Sequence, residues 1–140
     1  MKRFLSGILG VCWALVLTSC SKSNNEPTEF DIIGQWGVVS ITYTQPGMDA
    51  SYFGPMENKY YSYWTFQING AMSVKSDLTG NMEYGDYVYN ANKKTLRYIY
   101  GGYKSYVDAN VAVMSPTEMA ITANFGSIGN TLYRMKKVAW

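Results

Sequence analysis

The sequence has no histidine, and only two of its 140 residues are cysteine. Histidine is the commonest general base and metal ligand in proteins, and its absence also excludes Ser-His and Cys-His nucleophile pairs. Charged residues make up only 16% of the chain, and they nearly balance once Lys2 and Arg3 are set aside. A neutral chain lacks the basic surface of a nucleic-acid-binding protein. The apolar share of 47% suffices for one hydrophobic core.

The first residues have the pattern of a targeting signal. Lys2 and Arg3 precede an almost unbroken apolar run over residues 4–17. A run of this length is too short to span about 30 Å of hydrocarbon, but it is typical of a signal peptide. An ordinary secretory signal is one interpretation.

The run ends in Leu17-Thr18-Ser19-Cys20, which resembles the bacterial lipoprotein box. The resemblance implies that Cys20 is lipidated, that the chain is cut before it, and that the new amine is acylated. Several acyl chains, at about 0.8 kcal/mol per buried methylene, would anchor the protein durably. Cys12 lies in the removed segment, so we expect no disulfide in the mature chain.

The residues after Cys20 are polar, contain Pro27 and show no periodicity, which is typical of a flexible tether. We therefore divide the chain into a signal peptide (1–19), a lipidated cysteine with a tether (20–30) and a folded domain (31–140). The expected location is the cell envelope, most simply the outer membrane. The tether leaves open whether the domain faces the periplasm or the surface.

From Ile33 onward, short runs rich in Val, Ile, Thr, Tyr and Trp alternate with Gly, Asn, Pro and Asp, which is typical of β-strands. Asn69-Gly70 favours a two-residue hairpin with positive φ at both positions. Residues 115–118 fit either a turn or the start of a helix over 116–124, and the alternation after them favours a strand. The predicted strands are 35–44, 60–68, 71–76, 83–89, 95–100, 105–114, 118–125 and 130–138.

Alternation with a period of two predicts which side chains face inward. Tyr60, Trp64, Phe66 and Ile68 share one face, and Leu96, Tyr98 and Tyr100 share another. Gly85 could mark a bulge that reverses this order. About eight short antiparallel strands without a long helical pattern predict an all-β, up-and-down barrel or a sandwich, and we favour the barrel because closure leaves no exposed edge.

Gly34-Gln35-Trp36 opens the first strand, and a Gly-x-Trp at that place resembles the start of lipocalin-type barrels. Together with the lipoprotein box, the chain is similar to the small lipocalin-like domains of Bacteroidota lipoproteins. The resemblance implies that Trp36 packs across the closed end of the barrel, with a basic residue of the last strand over it. Arg134 is the first candidate for that residue and Lys136 the second.

Two sets of aromatic residues are candidates for ligand binding. The connection over 45–59 is unusually long and carries Tyr52 and Phe53, which predicts either a lid over the barrel or a plug in its end. The chain is also rich in tyrosine, which offers flat apolar area with a hydroxyl at its tip, although tyrosine is equally a good strand former. The candidate ligand-binding residues are Tyr52, Phe53, Trp64, Phe66, Tyr87, Tyr89, Tyr98 and Tyr100.

No motif predicts catalysis. The sequence contains no phosphate-binding Gly-x-x-x-x-Gly-Lys loop, no Asp-rich calcium loop and no Cys/His metal spacing. Glu83, Asp86 and Asp108 would serve a glycosidase only if two carboxyls came within about 5–10 Å in a cleft, and solvated faces and turns explain them better. We expect no enzyme, no cofactor and no metal.

Two functions are consistent with this sequence. The first is an envelope lipoprotein whose barrel binds a small hydrophobic or aromatic ligand. The second is a filled barrel that displays tyrosines to an envelope protein or a glycan. A cavity of a few hundred Å³ would favour the first, and a solid interior with an apolar outer patch the second.

Overall fold

Residues 29–140, which the computed structural model describes, fold into nine antiparallel strands joined in chain order. A 3-10 turn, Gly126–Ile128, precedes the last strand. The strands are β1 (Gly34–Thr44), β2 (Ser51–Phe53), β3 (Ser62–Phe66), β4 (Ala71–Ser76), β5 (Met82–Asn90), β6 (Thr95–Tyr100), β7 (Val107–Ser115), β8 (Glu118–Asn124) and β9 (Asn130–Ala139).

The sheet closes on itself because β1 pairs along its whole length with β9. From β3 onward each strand pairs with the next, and β3 also pairs with the first half of β1. The short β2 pairs only with the second half of β1. The predicted eight-stranded, all-β, up-and-down barrel is therefore confirmed, with β2 as an addition to its wall.

Because neighbouring strands run up and down, their connections lie alternately at one end of the barrel and at the other. The β1–β2, β4–β5, β6–β7 and β8–β9 connections lie at one end, here called the mouth. The β3–β4, β5–β6 and β7–β8 connections lie at the other end, here called the closed end. The segment before β1 and the C-terminal Trp140 also lie there, since β1 begins and β9 ends at that end. Ile32 in that segment is buried.

Side chains fill the interior of the barrel. Alternate residues of each strand point inward, and their buried side chains form one core cluster. The largest fully buried side chains are Trp36, Val38, Trp64, Phe66, Met72, Leu96, Tyr98, Met119, Ile121 and Met135.

The segment over 116–124 is a strand and not a helix. Ser115 pairs with Glu118 across a two-residue turn, and β8 then pairs with both β7 and β9. Met119, Ile121 and Ala123 are completely buried, as alternation predicted.

The hairpin after β3 differs from the prediction. The Gly70 N–H donates to the Gln67 carbonyl oxygen at 3.1 Å, and only Gly70 (φ +90°) has positive φ there; Asn69 does not. A β-turn followed by one left-handed glycine explains this geometry. Ile68 therefore lies in the turn and is 85% exposed, so its predicted inward position is wrong.

Tyr60 was also expected inside the barrel, and this prediction is wrong. Its ring lies where a Cβ of Gly37 would be, and it packs edge-on against Tyr63 at 5.6 Å. Gly37 pairs with Tyr63, and both lie on the face opposite to Trp36 and Trp64. β3 begins only at Ser62, so Tyr60 precedes the strand and the alternation of β3 does not determine which way its side chain points.

Gly85 permits a close approach between β5 and β6. It pairs with Met72 on one side and Tyr100 on the other without a register shift, so it marks no bulge. A Cβ at this position would overlap the carbonyl oxygen of Ile99. Only glycine fits here without moving the backbone.

We expect Gly85→Ala to lower the free energy of unfolding by about 1–3 kcal/mol, because the added methyl forces two paired strands apart. Gly102→Ala is the control, since a Cβ there meets no heavy atom within 4 Å. Denaturant unfolding of both variants measures the difference. Equal stability of the two variants would contradict the predicted overlap.

Candidate functional site

The predicted interior aromatics all point into the barrel, but they form two groups. Trp64, Tyr98 and Tyr100 lie toward the mouth, with ring centroids of Tyr98 and Tyr100 at 5.3 and 5.7 Å from Trp64. Phe66 and Tyr87 lie toward the closed end, 4.9 Å apart. Tyr89 is near them, at 6.2 Å from Phe30.

Two further tyrosines complete the group toward the mouth. The Tyr133 ring lies 5.1 Å from Trp64, and the Tyr103 ring lies 5.0 Å from Tyr100. Tyr98 and Tyr100 are nearly parallel, 5.9 Å apart with an interplanar angle of 13°. We call Trp64, Tyr98, Tyr100, Tyr103 and Tyr133 the mouth cluster.

Sequence reasoning missed Tyr133 as a site residue. Arg134 and Lys136 alternate with Tyr133 and Met135, and this pattern would have placed Tyr133 inside. That signal was masked because Lys137 continues the inward series and reads as a surface residue. Tyr103 lies outside any strand, so no alternation could assign it a face.

The mouth cluster is electrically neutral. Burial raises the pKa of Tyr98, Tyr100 and Tyr133 well above the ordinary value for tyrosine, and neighbouring tyrosines raise it further. Protonated phenols can each donate one hydrogen bond. The cluster can therefore offer hydroxyl donors and flat apolar rings, but no charge.

One hydroxyl of the mouth cluster is fully buried without a hydrogen-bond partner. Tyr98 is 0% exposed, and its hydroxyl makes no hydrogen bond within the described chain. Leaving a buried polar group unsatisfied costs about 1–3 kcal/mol. Such a group indicates a position where another molecule could supply the missing partner.

Tyr103 covers the mouth cluster from the β6–β7 connection. It is 37% exposed and follows Gly101, which has φ +62°, and Gly102, which has open space around it. Its other ring neighbour is Phe125 at 6.4 Å, and the depression beyond Phe125 measures about 90 Å³ and is lined by no member of the mouth cluster. Pockets for drug-sized ligands measure about 300–1,000 Å³, so this depression is too small for one, and a ligand of the mouth cluster would have to displace the Tyr103 ring that covers it.

The long connection over 45–59 is part of the wall and does not fold over the mouth. Tyr52 and Phe53 belong to β2, which pairs with Thr42 and Ile41 of β1. Phe53 shares the face of Ile41 and packs edge-on against Tyr43 at 5.8 Å, while Tyr52 points the other way and is 63% exposed. Further on, Met56 and Tyr60 line the outer wall with Val39 and Lys136.

Trp36 lies at the opposite end of the barrel. It is completely buried, its indole N–H donates to the Ile32 carbonyl oxygen at 2.8 Å, and Phe30 packs on it at 5.7 Å. Gly34 (φ +130°) leaves the space that the Lys137 side chain occupies. These contacts join the segment before β1 to the last strand.

The basic residue over Trp36 is Lys137, so the prediction of Arg134 is wrong, and so is Lys136. The Lys137 Nζ lies 5.2 Å from the Trp36 ring and donates to the Asp31 carbonyl oxygen at 2.8 Å. Burial lowers the pKa of Lys137, and Asp31 partly opposes that shift. Arg134 points outward and contacts the sulfur of Met114, because β9 alternates with its odd-numbered residues inside.

Glu83, Asp86 and Asp108 are all exposed. Asp108 forms an exposed ion pair with Arg97 at 2.9 Å, whereas Glu83 lies beside Gly101 at the mouth. Within residues 29–140, no three Cys, His, Asp or Glu side chains lie close enough to hold a metal ion. In the same range no helix is long and apolar enough to cross a bilayer.

The buried tyrosines predict unfolding in alkali. Tyr98, Tyr100 and Tyr133 have raised pKa values in the folded chain, so the stability they contribute is complete below about pH 10 and is lost as the pH rises above it. Above that pH, each tyrosine that stays protonated in the folded chain lowers the free energy of unfolding by about 1.4 kcal/mol per pH unit. Tyrosinate absorbance and far-ultraviolet circular dichroism measure both events.

We expect the last part of the tyrosinate signal to appear together with loss of the barrel. Tyr133→Phe removes one ionisable group and should move the midpoint to higher pH. Full tyrosinate absorbance in a barrel that remains folded would contradict the burial of these hydroxyls.

The comparison with known families agrees with this geometry. The family model of the lipocalin-like domain matches residues 32–121, which run from the segment before Trp36 into β8. No curated protein and no solved structure matches the chain significantly. The matched range covers more than half of the sequence and most strands of the closed barrel. The chain belongs to the lipocalin-like domain family.

Proposed function

We propose that this chain is a lipid-anchored bacterial envelope lipoprotein whose barrel binds a small, uncharged aromatic or hydrophobic molecule at its mouth. The observation that carries the binding proposal is the unpartnered hydroxyl of Tyr98 within the mouth cluster. The protein acts as a binding protein and not as an enzyme.

The mouth cluster defines the chemistry of the ligand. Tyr100 and Trp64 present rings that favour a planar or apolar body. The Tyr98 hydroxyl favours one hydrogen-bond acceptor on that body. A charged ligand would lose its hydration without gaining an opposite charge, because the cluster holds none.

Binding requires the Tyr103 ring to move. The deeper interior is filled by fully buried side chains such as Phe66 and Met72, so the ligand cannot descend to the closed end. Rotation about Gly101 and Gly102 would release the Tyr103 ring from Tyr100 and open the face of the cluster. The ligand then replaces Tyr103 as the neighbour of Tyr100.

The anchoring proposal depends on residues outside the described range. Leu17-Thr18-Ser19-Cys20 supports cleavage before Cys20 and its lipidation. The acyl chains would hold the domain at the cell envelope, most simply at the outer membrane.

Native mass spectrometry of the protein released from its own envelope tests both parts. We expect a mature chain beginning at a lipid-modified Cys20 and carrying a further adduct in equimolar amount. An unmodified N-terminus would contradict anchoring. A lipidated chain that stays bare after incubation with lipid and aromatic metabolite pools would contradict ligand binding.

We expect Tyr98→Phe to separate stability from binding. Removing the unsatisfied hydroxyl should raise the free energy of unfolding of the ligand-free chain by about 1 kcal/mol. The same change should weaken binding of the co-purified ligand several-fold, because the ligand loses its donor. Denaturant unfolding and fluorescence titration measure the two effects.

Tyr89→Phe is the matched control. The Tyr89 hydroxyl is also buried without a partner, but Tyr89 lies at the closed end beside Phe30. It should stabilise the chain and leave the affinity unchanged. Equal affinity of the Tyr98 and Tyr89 variants would refute the role of Tyr98.

A specific observation also favours a second function, display of the barrel to an envelope protein or a glycan. The interior is filled, and every connection at the mouth carries an exposed large apolar side chain. These are Met48, Leu78, Tyr103, Tyr106 and Ile128. Such residues are enriched in protein interfaces. A bare barrel in the mass spectrum would favour this function.

A further inference from the structure

The closed end is where the chain enters the barrel from its N-terminal segment. Phe30 and Ile33 precede β1 at this end, and Trp140 follows β9 there. Both ends of the described chain therefore meet on one side of the domain, opposite to the mouth.

An apolar groove of about 500 Å³ runs across the closed end. Its apolar lining is Phe30, Ile32, Ile33, Ile68, Tyr87, Val88, Tyr89, Ala91 and Val113. Ile68 is 85% exposed and Val88 66% exposed, and Trp140 at the same end is 59% exposed. Ile68 and Val88 therefore leave apolar surface of the groove open beside the entering chain, and Trp140 is a separate exposed side chain at the same end.

The charges around the groove suit a lipid surface. Lys94 lines the groove, and Lys93 stands next to it in the β5–β6 turn. Lysine can bury its aliphatic stem while its ammonium reaches the headgroups, and tryptophan is enriched at membrane interfaces. Asp31 is the acidic residue of the groove, and its carboxylate accepts the Ile33 N–H.

We propose that the closed end rests on the phospholipid bilayer in which Cys20 is anchored, with the groove against the lipid surface. This inference rests on the anchoring part of the proposed function. Eight residues, 21–28, separate Cys20 from the described chain, which makes nine residue steps from Cys20 to residue 29. At about 3.3 Å per residue they reach about 30 Å at most, so the closed end cannot leave the neighbourhood of the bilayer.

This orientation gives the mouth a direction. The mouth opens away from the anchoring membrane, and the apolar side chains on its connections face the aqueous compartment. A ligand of the mouth cluster would then arrive from that compartment or from a partner protein, and not directly from the anchoring bilayer.

Spin labels on the mature, lipidated chain test the orientation. Single cysteines replace Ile68 or Val88 at the closed end, and Leu78 or Ile128 at the mouth serve as matched controls, because all four side chains are highly exposed. The chain is reconstituted into vesicles of phosphatidylethanolamine and phosphatidylglycerol. A lipidated Cys20 leaves the introduced cysteine as the one free thiol of the mature chain.

We expect labels at 68 and 88 to collide several-fold less often with a water-soluble nickel chelate than labels at 78 and 128. Their collisions with oxygen, which concentrates in lipid, should rise. Equal exposure of all four labels to the chelate would overturn the docking proposal while leaving ligand binding intact. Protection at 78 and 128 alone would overturn it in favour of a mouth that faces the bilayer.

The chain without an introduced cysteine distinguishes a failure of anchoring from a failure of docking alone. If it takes up label at Cys20, the cysteine carries no lipid, and anchoring and docking fail together. If it takes up none and the closed-end labels remain in water, docking alone fails.

Discussion

The pairing of β1 with β9 closes the sheet into a barrel. It joins the first and last strands of the barrel from Gln35–Ala139 to Thr44–Asn130. Closure gives every strand a buried inner face. In an open sheet the same face, which carries the aromatic side chains, would be exposed to water. A register shift between Val38 and Ser40 changes which residues of β1 point inward. Before the shift Trp36 and Val38 point inward opposite Lys137 and Met135, and after it Ile41 and Tyr43 point inward opposite Tyr133 and Thr131.

Closure also divides the interior into two ends with different chemistry. At the closed end, Trp36, Lys137 and the segment from Phe30 to Ile33 are fixed by hydrogen bonds and a cation–π contact. At the mouth, neutral tyrosines surround Trp64, and one of their hydroxyls has no partner. Specific contacts therefore hold the chain at the closed end, and the mouth presents neutral aromatic rings and hydroxyls. A ligand and a membrane would therefore contact opposite ends of the same domain.

Alternation predicted the strands because each strand buries one face, so burial repeats every second residue. It failed where the chain leaves the strand geometry: Tyr60 precedes β3, and Ile68 lies in a turn. It also failed on β9, where an inward lysine looks like a surface residue. Lys137 is tolerated inside because the Asp31 carbonyl oxygen and the Trp36 ring replace its water. The sequence around Lys137 does not indicate that its partners come from the other end of the chain.

The strand positions, the barrel class and the aromatic character of the interior follow from local periodicity and turn chemistry, so they could be predicted from the residues alone. The tertiary structure determines which aromatic rings are in contact. Trp64, Tyr98 and Tyr133 come from three strands that are distant along the chain, and only closure brings their rings to about 5 Å. It also decided that the long connection extends the wall through β2, because hydrogen bonds to the free half of β1 satisfy its backbone. These contacts depend on pairing between strands that are distant along the chain, which a local sequence pattern cannot predict.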